Sequence, residues 1–416
     1  MIPFIIDNIF YGKVDKWRSV FIYPLAEAFI EFISCFFPIA NNNLLCYALR
    51  DNIQFIQIIS VFGCYFISFI VALFSTTLEY SIDLYKNENK ISKFIFSYAT
   101  IIVVIYFFGL IRLLIPLDEE TINVAASIGV SQPLYEIDET DSYREQDVYL
   151  EYINRTMKRA HDSEAQIMTY AEEAFAILID EREGMLGNVS ELAKLYSIYV
   201  LLGLDVCHNE TYCTNEAVLI SDEGEVLYEY QKQHLIPISE SIYYENMEET
   251  YTIKTRYGKI GVVICYDINY PYYLNSLSRE HFDLLLVPSW DWDSIAEWHS
   301  NEAKYRAIEG GFNLVKNTAH GYVISSDTRG RTLSYVKNEG KDYNVINTVN
   351  RKGVTTLYSY IGIFFNYIYL VAFIAILISG KIIKLFKKDN NDGTVGSTSY
   401  TELKLSNIPQ SESNEE

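Results

Sequence analysis

Four runs of the chain, residues 19–39, 55–77, 91–117 and 358–382, are each apolar over enough positions to cross the roughly 30 Å hydrocarbon layer of a bilayer as a helix. Nothing else in the sequence restricts its architecture as strongly, because a segment inside lipid must satisfy every backbone N–H and C=O within itself. Half of the residues are hydrophobic, yet the formal charge is -21. The two properties therefore belong to different segments, with the acid in an exposed domain and the apolar residues in spans. The same charge repels a phosphate backbone, and no basic stripe interleaved with aromatics offsets it, so nucleic acid is excluded as a partner.

Basic residues give the expected orientation. Lys13, Lys16 and Arg18 precede the first run, Lys86, Lys90 and Lys93 separate the second from the third, and Lys381, Lys384, Lys387 and Lys388 follow the last. Cytoplasmic loops carry such an excess, which places both termini in the cytosol and the intervening domain outside it, extracytoplasmic or lumenal. The first run also carries Glu27 and Glu31, an i, i+4 pair on one helical face that must point into a protein or water-filled interior. The expected organisation is thus a membrane region of about three spans over residues 1–117, a catalytic-sized domain over 118–357, a C-terminal span over 358–382, and a disordered cytosolic tail over 383–416, rich in Asn, Ser, Thr and Glu.

Between residues 118 and 357 short apolar runs alternate with helical patterns. Residues 122–130, 166–170, 199–204, 217–221, 260–267, 283–289 and 312–318 read as buried strands, and 149–161, 190–198 and 296–310 as amphipathic helices. That alternation defines an α/β domain with helix-covered sheets. Six cysteines without a CxxC pair give neither a disulfide scaffold nor a zinc or redox site, and no cofactor is implied. Cys207 and Cys213 flank a short polar loop; a disulfide and two free thiols remain alternatives there.

The residues with chemistry sit at strand ends. Cys265 closes the run Ile260-Gly-Val-Val-Ile-Cys-Tyr-Asp267, where an α/β fold exposes reactive groups, although a cysteine ending an apolar run is more often an inert core residue. Lys232 leaves a strand in Tyr228-Glu-Tyr-Gln-Lys-Gln-His-Leu-Ile-Pro-Ile-Ser-Glu240; beside a thiol its charge lowers the pKa and steadies an oxyanion, whereas alone it would be one surface lysine among many. Glu172 closes Gln166-Ile-Met-Thr-Tyr-Ala-Glu172 and is positioned for general base, against the plainer reading of a solvated loop acid.

In the order Glu, Lys, Cys these segments resemble the nitrilase, or carbon-nitrogen hydrolase, superfamily. The resemblance continues through Asp283-Leu-Leu-Leu-Val-Pro-Ser-Trp290, Tyr305-Arg-Ala-Ile-Glu-Gly-Gly311 and Asn317-Thr-Ala-His-Gly321. Lys232 with Pro237 and Glu240, and the apolar stretch from Gln57 to Phe69, look most like the apolipoprotein N-acyltransferases. The sequence departs from that branch in having Ala171 before Glu172 where proline is usual, which makes Glu173 the alternative base, and Asp267 where the branch more often has Glu.

The resemblance implies a nitrilase-like α-β-β-α sandwich inserted between transmembrane helices, with Glu172, Lys232 and Cys265 catalytic and Glu240, Tyr266 and Asp267 in support. It implies a phospholipid acyl donor, a Cys265 thioester and an amine acceptor, that of a lipoprotein or another amine, with no metal. Trp290, Trp292, Tyr243 and Tyr244 are expected to line or cover the way in for lipid. The rival reading is a membrane-anchored amidase that resolves the thioester with water; a scaffold with a decayed hydrolase domain is the non-enzymatic one. A domain held to the bilayer at both ends is expected to be a monomer.

Overall fold

The computed structural model describes residues 1–11, 13–37, 44–129, 146–209, 212–237, 240 and 251–379. Two sheets form its centre. The first is seven-stranded: Asn344–Asn350 (β13), Thr121–Ser127 (β1), Ile167–Thr169 (β2), Tyr199–Asn209 (β4), Tyr212–Ile220 (β5) and Val226–Gln231 (β6) lie side by side, and Phe175–Leu178 (β3) also pairs with β4. The second is six-stranded, in the order Thr332–Lys337 (β12), Tyr322–Ser326 (β11), Asn313–Thr318 (β10), Leu284–Ser289 (β9), Gly258–Val262 (β8) and Ile253–Thr255 (β7). In each sheet the inner strands run parallel, as β1, β2 and β4 do in one and β8, β9 and β10 in the other, and antiparallel strands flank them.

The period-two alternation of each strand separates the layers. Along β4, Tyr199 and Leu201 join a core shared with β9 and β10 of the other sheet, while Val200, Leu202 and Leu204 face the helices Gln146–Asp162 and Ile179–Tyr196. Helix Ala296–Gly310 covers the second sheet through Ala303 and Ala307, which completes an α-β-β-α sandwich. Asn317 pins the sheets together, its amide donating to the carbonyls of Ser127 (3.1 Å) and Thr169 (2.9 Å). A disulfide joins Cys207 of β4 to Cys213 of β5, which resolves the alternative that the sequence left open.

Among the described residues three helices are long and apolar enough to cross a membrane: Cys64–Glu88, Lys93–Leu114 and Leu357–Ser379. Two expected spans are corrected. Within the described part of the run 19–39 the long helix is the 13-residue Ile22–Ser34, about 20 Å long at 1.5 Å per residue and too short to cross. Its apolar residues are buried against protein rather than lipid, Ile22, Ala28 and Phe32 being fully so, and Glu31 accepts the Leu45 N–H at 2.6 Å, which ties the helix to a neighbouring segment. Composition does not distinguish burial in protein from burial in lipid. The run 55–77 is broken at Gly63 (φ 77°, ψ 171°) into the short apolar stretch Ile53–Phe62 and the long helix Cys64–Glu88. The Tyr358 ring lies where a Cβ at position 63 would stand, so only glycine fits the break.

The sandwich sits on the membrane helices through helix Ala296–Gly310. Tyr305 and Ile308 enter the apolar cluster of the membrane region, the Tyr305 hydroxyl donates to the Cys46 carbonyl (2.9 Å), and Glu309 accepts the Cys64 N–H at the helix break (2.7 Å). Gln57 donates to the Arg329 carbonyl (2.9 Å) and Arg331 to that of Leu113 (2.6 Å). The expected tail over 383–416 lies outside the described residues.

Candidate active site

Glu172 follows β2 in a short loop that crowds β4, where Gly203 alone leaves room for the Ala171 carbonyl. The β5 side chain Asn215 fixes two acids there, donating to Glu172 (2.8 Å) and to Glu173 (3.1 Å). Lys232 ends β6 by donating its backbone N–H to the Asn215 carbonyl (3.0 Å), and its side chain is wholly buried. The ammonium donates to Oε1 of Glu172 and Oε1 of Glu240, each at 2.7 Å, and the other Glu240 oxygen accepts the Ile236 N–H (2.9 Å). One buried cation is thus held between two carboxylates.

Cys265 differs from its expected place. The strand β8 ends at Val262, and the cysteine opens a 3-10 turn, Cys265–Asn269, with φ +43°. A non-glycine residue is rarely left-handed, and such conformations persist where the surroundings hold them in place. Here the restraint is Asp267, fully buried two residues on. Its carboxylate accepts from the Tyr230 hydroxyl (2.6 Å), the His234 N–H and Nδ1 (both 2.8 Å) and the Ile264 N–H (3.1 Å). The turn bearing Cys265 is thereby fastened to the loop that follows Lys232. Sequence periodicity could not show this, because a strand and a tight turn after it are equally apolar.

The Cys265 sulfur lies 3.9 Å from the Trp290 carbonyl and opens onto a cavity of about 460 Å³. Trp290 and Trp292, expected at the way in for lipid, and Tyr266, expected in support of the catalytic residues, are among the residues that line it; Tyr243 and Tyr244 lie outside the described residues. The sequence reading missed Trp298, His299 and Glu302, which form the cavity wall on helix Ala296–Gly310. Their spacing, i, i+1 and i+4, puts them on one face and was the available signal. Behind this wall His299 contacts Asp291 (2.7 Å) and Asn269 (2.8 Å), and Asp291 is ion-paired with the buried Lys316.

The charges set the resting state. Burial pushes the Cys265 thiol well up, the Glu172 charge adds to this, and Lys232 opposes it, so the sulfur rests protonated. For Lys232 burial favours the neutral amine, but Glu172 and Glu240 outweigh it and hold the ammonium firmly charged. Burial raises the Glu240 carboxyl against the pull of Lys232, and Asp291 is held low because Lys316 and His299 outweigh its burial. Ligand atoms of Cys265, Asp291 and His299 lie within 4.8 Å of one another, a soft N/O/S donor set for a metal, but Lys316 and His299 already neutralise the carboxylate. A protonated thiol, an adjacent carboxylate and a fixed cation form a set for nucleophilic acyl chemistry.

Residues 146–337 match the family model described as "Carbon-nitrogen hydrolase". The chain is 28% identical over 181 residues to a deaminated glutathione amidase of Dictyostelium discoideum, covering 37% of this chain and 62% of the relative. It is 23% identical over 409 residues to an apolipoprotein N-acyltransferase of Rickettsia typhi, covering 91% of this chain and 79% of the relative. The chain spans 60% to 64% of the length of three of the relatives it matches. Among solved structures the NitN amidase from Neterenkonia sp. AN1 is similar, with 18% identity, a TM-score of 0.46, and coverage of 55% of this chain and 92% of that one.

Proposed function

Starting from a carbon-nitrogen hydrolase domain over residues 146–337, carried on apolar helices long enough to cross a membrane, we propose that this protein is a membrane-bound N-acyltransferase. On this reading Glu172 takes the Cys265 proton and the thiolate attacks the ester carbonyl of a phospholipid. Lys232 steadies the oxyanion, and Glu172 returns the proton to the departing alkoxide, which leaves as a lysophospholipid. The acyl chain is then a thioester on Cys265. An amine, in the leading case that of a lipoprotein N-terminus, attacks the thioester and loses a proton to Glu172; the sulfur leaves, amide forms and the thiol is restored. Glu240 keeps Lys232 in place, Tyr266 walls the cavity, and Asp267 holds the turn.

The observation that carries this reading is the buried Lys232 fixed between Glu172 and Glu240 beside a cavity-facing Cys265, in a domain seated on membrane helices. The aromatic cavity suits an acyl chain, and substrates that dissolve in lipid reach such a site along the bilayer. Cys207–Cys213 belongs in an oxidising compartment, which supports an extracytoplasmic or lumenal domain and a cytosolic tail. A second reading, a membrane-anchored amidase, is favoured by the identity to the Dictyostelium amidase, which is higher but limited to 37% of the chain.

The test is the intact mass of detergent-purified protein, and of Cys265→Ala, after incubation with phosphatidylethanolamine. An acyl adduct absent from the variant and discharged by a lipopeptide amine supports the transferase. Absence of any adduct on the wild-type protein turns the assignment to the amidase.

A further inference from the structure

The catalytic reading leaves the cavity wall on helix Ala296–Gly310 without a task. Glu302 stands in that wall, 4% exposed, in a cavity whose lining includes Tyr266, Trp290, Trp292 and Trp298 beside the polar Asn269 and His299. Its Oε2 accepts the Asn269 amide at 2.8 Å, and Oε1 makes no hydrogen bond to the described residues. The nearby cations are committed elsewhere: Arg306 to Glu309 at 2.9 Å and Lys316 to Asp291. A buried carboxylate with a single hydrogen bond, balanced only through space by Arg306 and Lys316, is costly, and a ligand that donates to the second oxygen would complete it.

Aromatic faces around a carboxylate are the surroundings that bind an organic cation: the rings attract it through their quadrupoles, and the acid neutralises it. Asn269 closes the 3-10 turn that Cys265 opens, so its amide ties the Glu302 carboxylate to the turn that carries the sulfur. We propose that Glu302, with Trp290 and Trp298, forms a subsite for an alkylammonium group, and that this subsite receives the acceptor amine. The assignment of the amine as acceptor rests on the acyltransferase reading above; cation binding does not. Burial pushes the Glu302 carboxyl well above the usual range, so the carboxyl is protonated before binding; it gives that proton to solvent as the ammonium docks, and takes one from the ammonium to free the neutral amine that attacks. Water needs no such subsite, so Glu302 is a specificity-determining residue for an amine acceptor over hydrolysis.

The experiment measures binding without turnover. Hexylammonium and the neutral control hexanol are titrated into detergent-purified full-length Cys265→Ala protein, and into Cys265→Ala/Glu302→Gln, by calorimetry. Glutamine keeps an oxygen for Asn269 and removes the charge. The expected result is at least tenfold weaker binding of hexylammonium in the double variant with hexanol unchanged. Equal loss for both ligands, or none for the cation, overturns the proposal. Should Glu302→Gln fail to fold, Trp298→Ala in the same background replaces it, with the same selective loss expected and an unchanged cation-to-alcohol ratio overturning the proposal. Cation binding in a protein that forms no acyl adduct would separate the two readings: the subsite stands and the transferase falls.

Discussion

Two charges act on the Cys265 sulfur in opposite directions, and substitution separates them. Glu172 helps to hold the thiol protonated, so Glu172→Gln lowers the thiol pKa and speeds alkylation by iodoacetamide at pH 8. On the proposed mechanism the same change also removes the base and is expected to slow acylation by phospholipid by about 10²- to 10⁴-fold. Faster labelling with slower turnover is the expected pair, read by mass spectrometry; parallel loss of both would mean that Glu172 only maintains the fold. Because burial holds the folded thiol above its ordinary value, wild-type labelling is slow at pH 7 and rises at higher pH than in an unfolded chain. Lys232→Met is expected to cost about 10²- to 10³-fold in acylation, the loss typical of one oxyanion donor. At this scale the sequence showed which residue types meet, since Glu172, Lys232, Glu240 and Cys265 were legible from their segments. It could not show Glu302, because an acid on an amphipathic helix looks solvated until the fold turns that face inward.

Among the elements, the break at Gly63 and the helix Ala296–Gly310 determine how the domain is seated. Arg306 is buried with Glu309 as its ion-pair partner, and Glu309 also accepts the N–H at the break. Arg306→Met therefore strands a buried acid and is expected to destabilise by about 3–5 kcal/mol, whereas Arg306→Met with Glu309→Leu costs less because no charge remains unpaired. Thermal unfolding in detergent, followed at a tryptophan signal, checks the order of the two. The strands and the helices of the sandwich were largely readable from period-two and helical patterns. The membrane elements were read less well, since residues 19–39 and 55–77 have the composition of spans but end at a packed helix terminus and at a glycine whose Cβ has no space.

The whole molecule is a sandwich bound to its helices by buried side chains, not by a flexible linker. Residues 118–357 expressed alone would expose Tyr305 and Ile308, so the fragment is expected to elute as an aggregate in size exclusion while the full chain runs as a single species in detergent. Topology is equally testable. In sealed native vesicles with the cytosolic face outward, an added protease should remove the C-terminal tail and spare an epitope in the sandwich; digestion of the sandwich would reverse the proposed orientation.

Helix Ala296–Gly310 has one more consequence. Trp298, His299 and Glu302 line the cavity, while one and two turns further along Tyr305, Arg306 and Glu309 engage the membrane helices. A single stiff rod thus joins the reaction chamber to the bilayer. Lipid too thin or too thick for those helices tilts them at a small energetic cost, and the rod would transmit that tilt to the chamber wall. On the proposed acyltransferase reading, turnover of one fixed donor would then depend on the thickness of the surrounding lipid, and the bilayer would serve both as solvent and as a mechanical load.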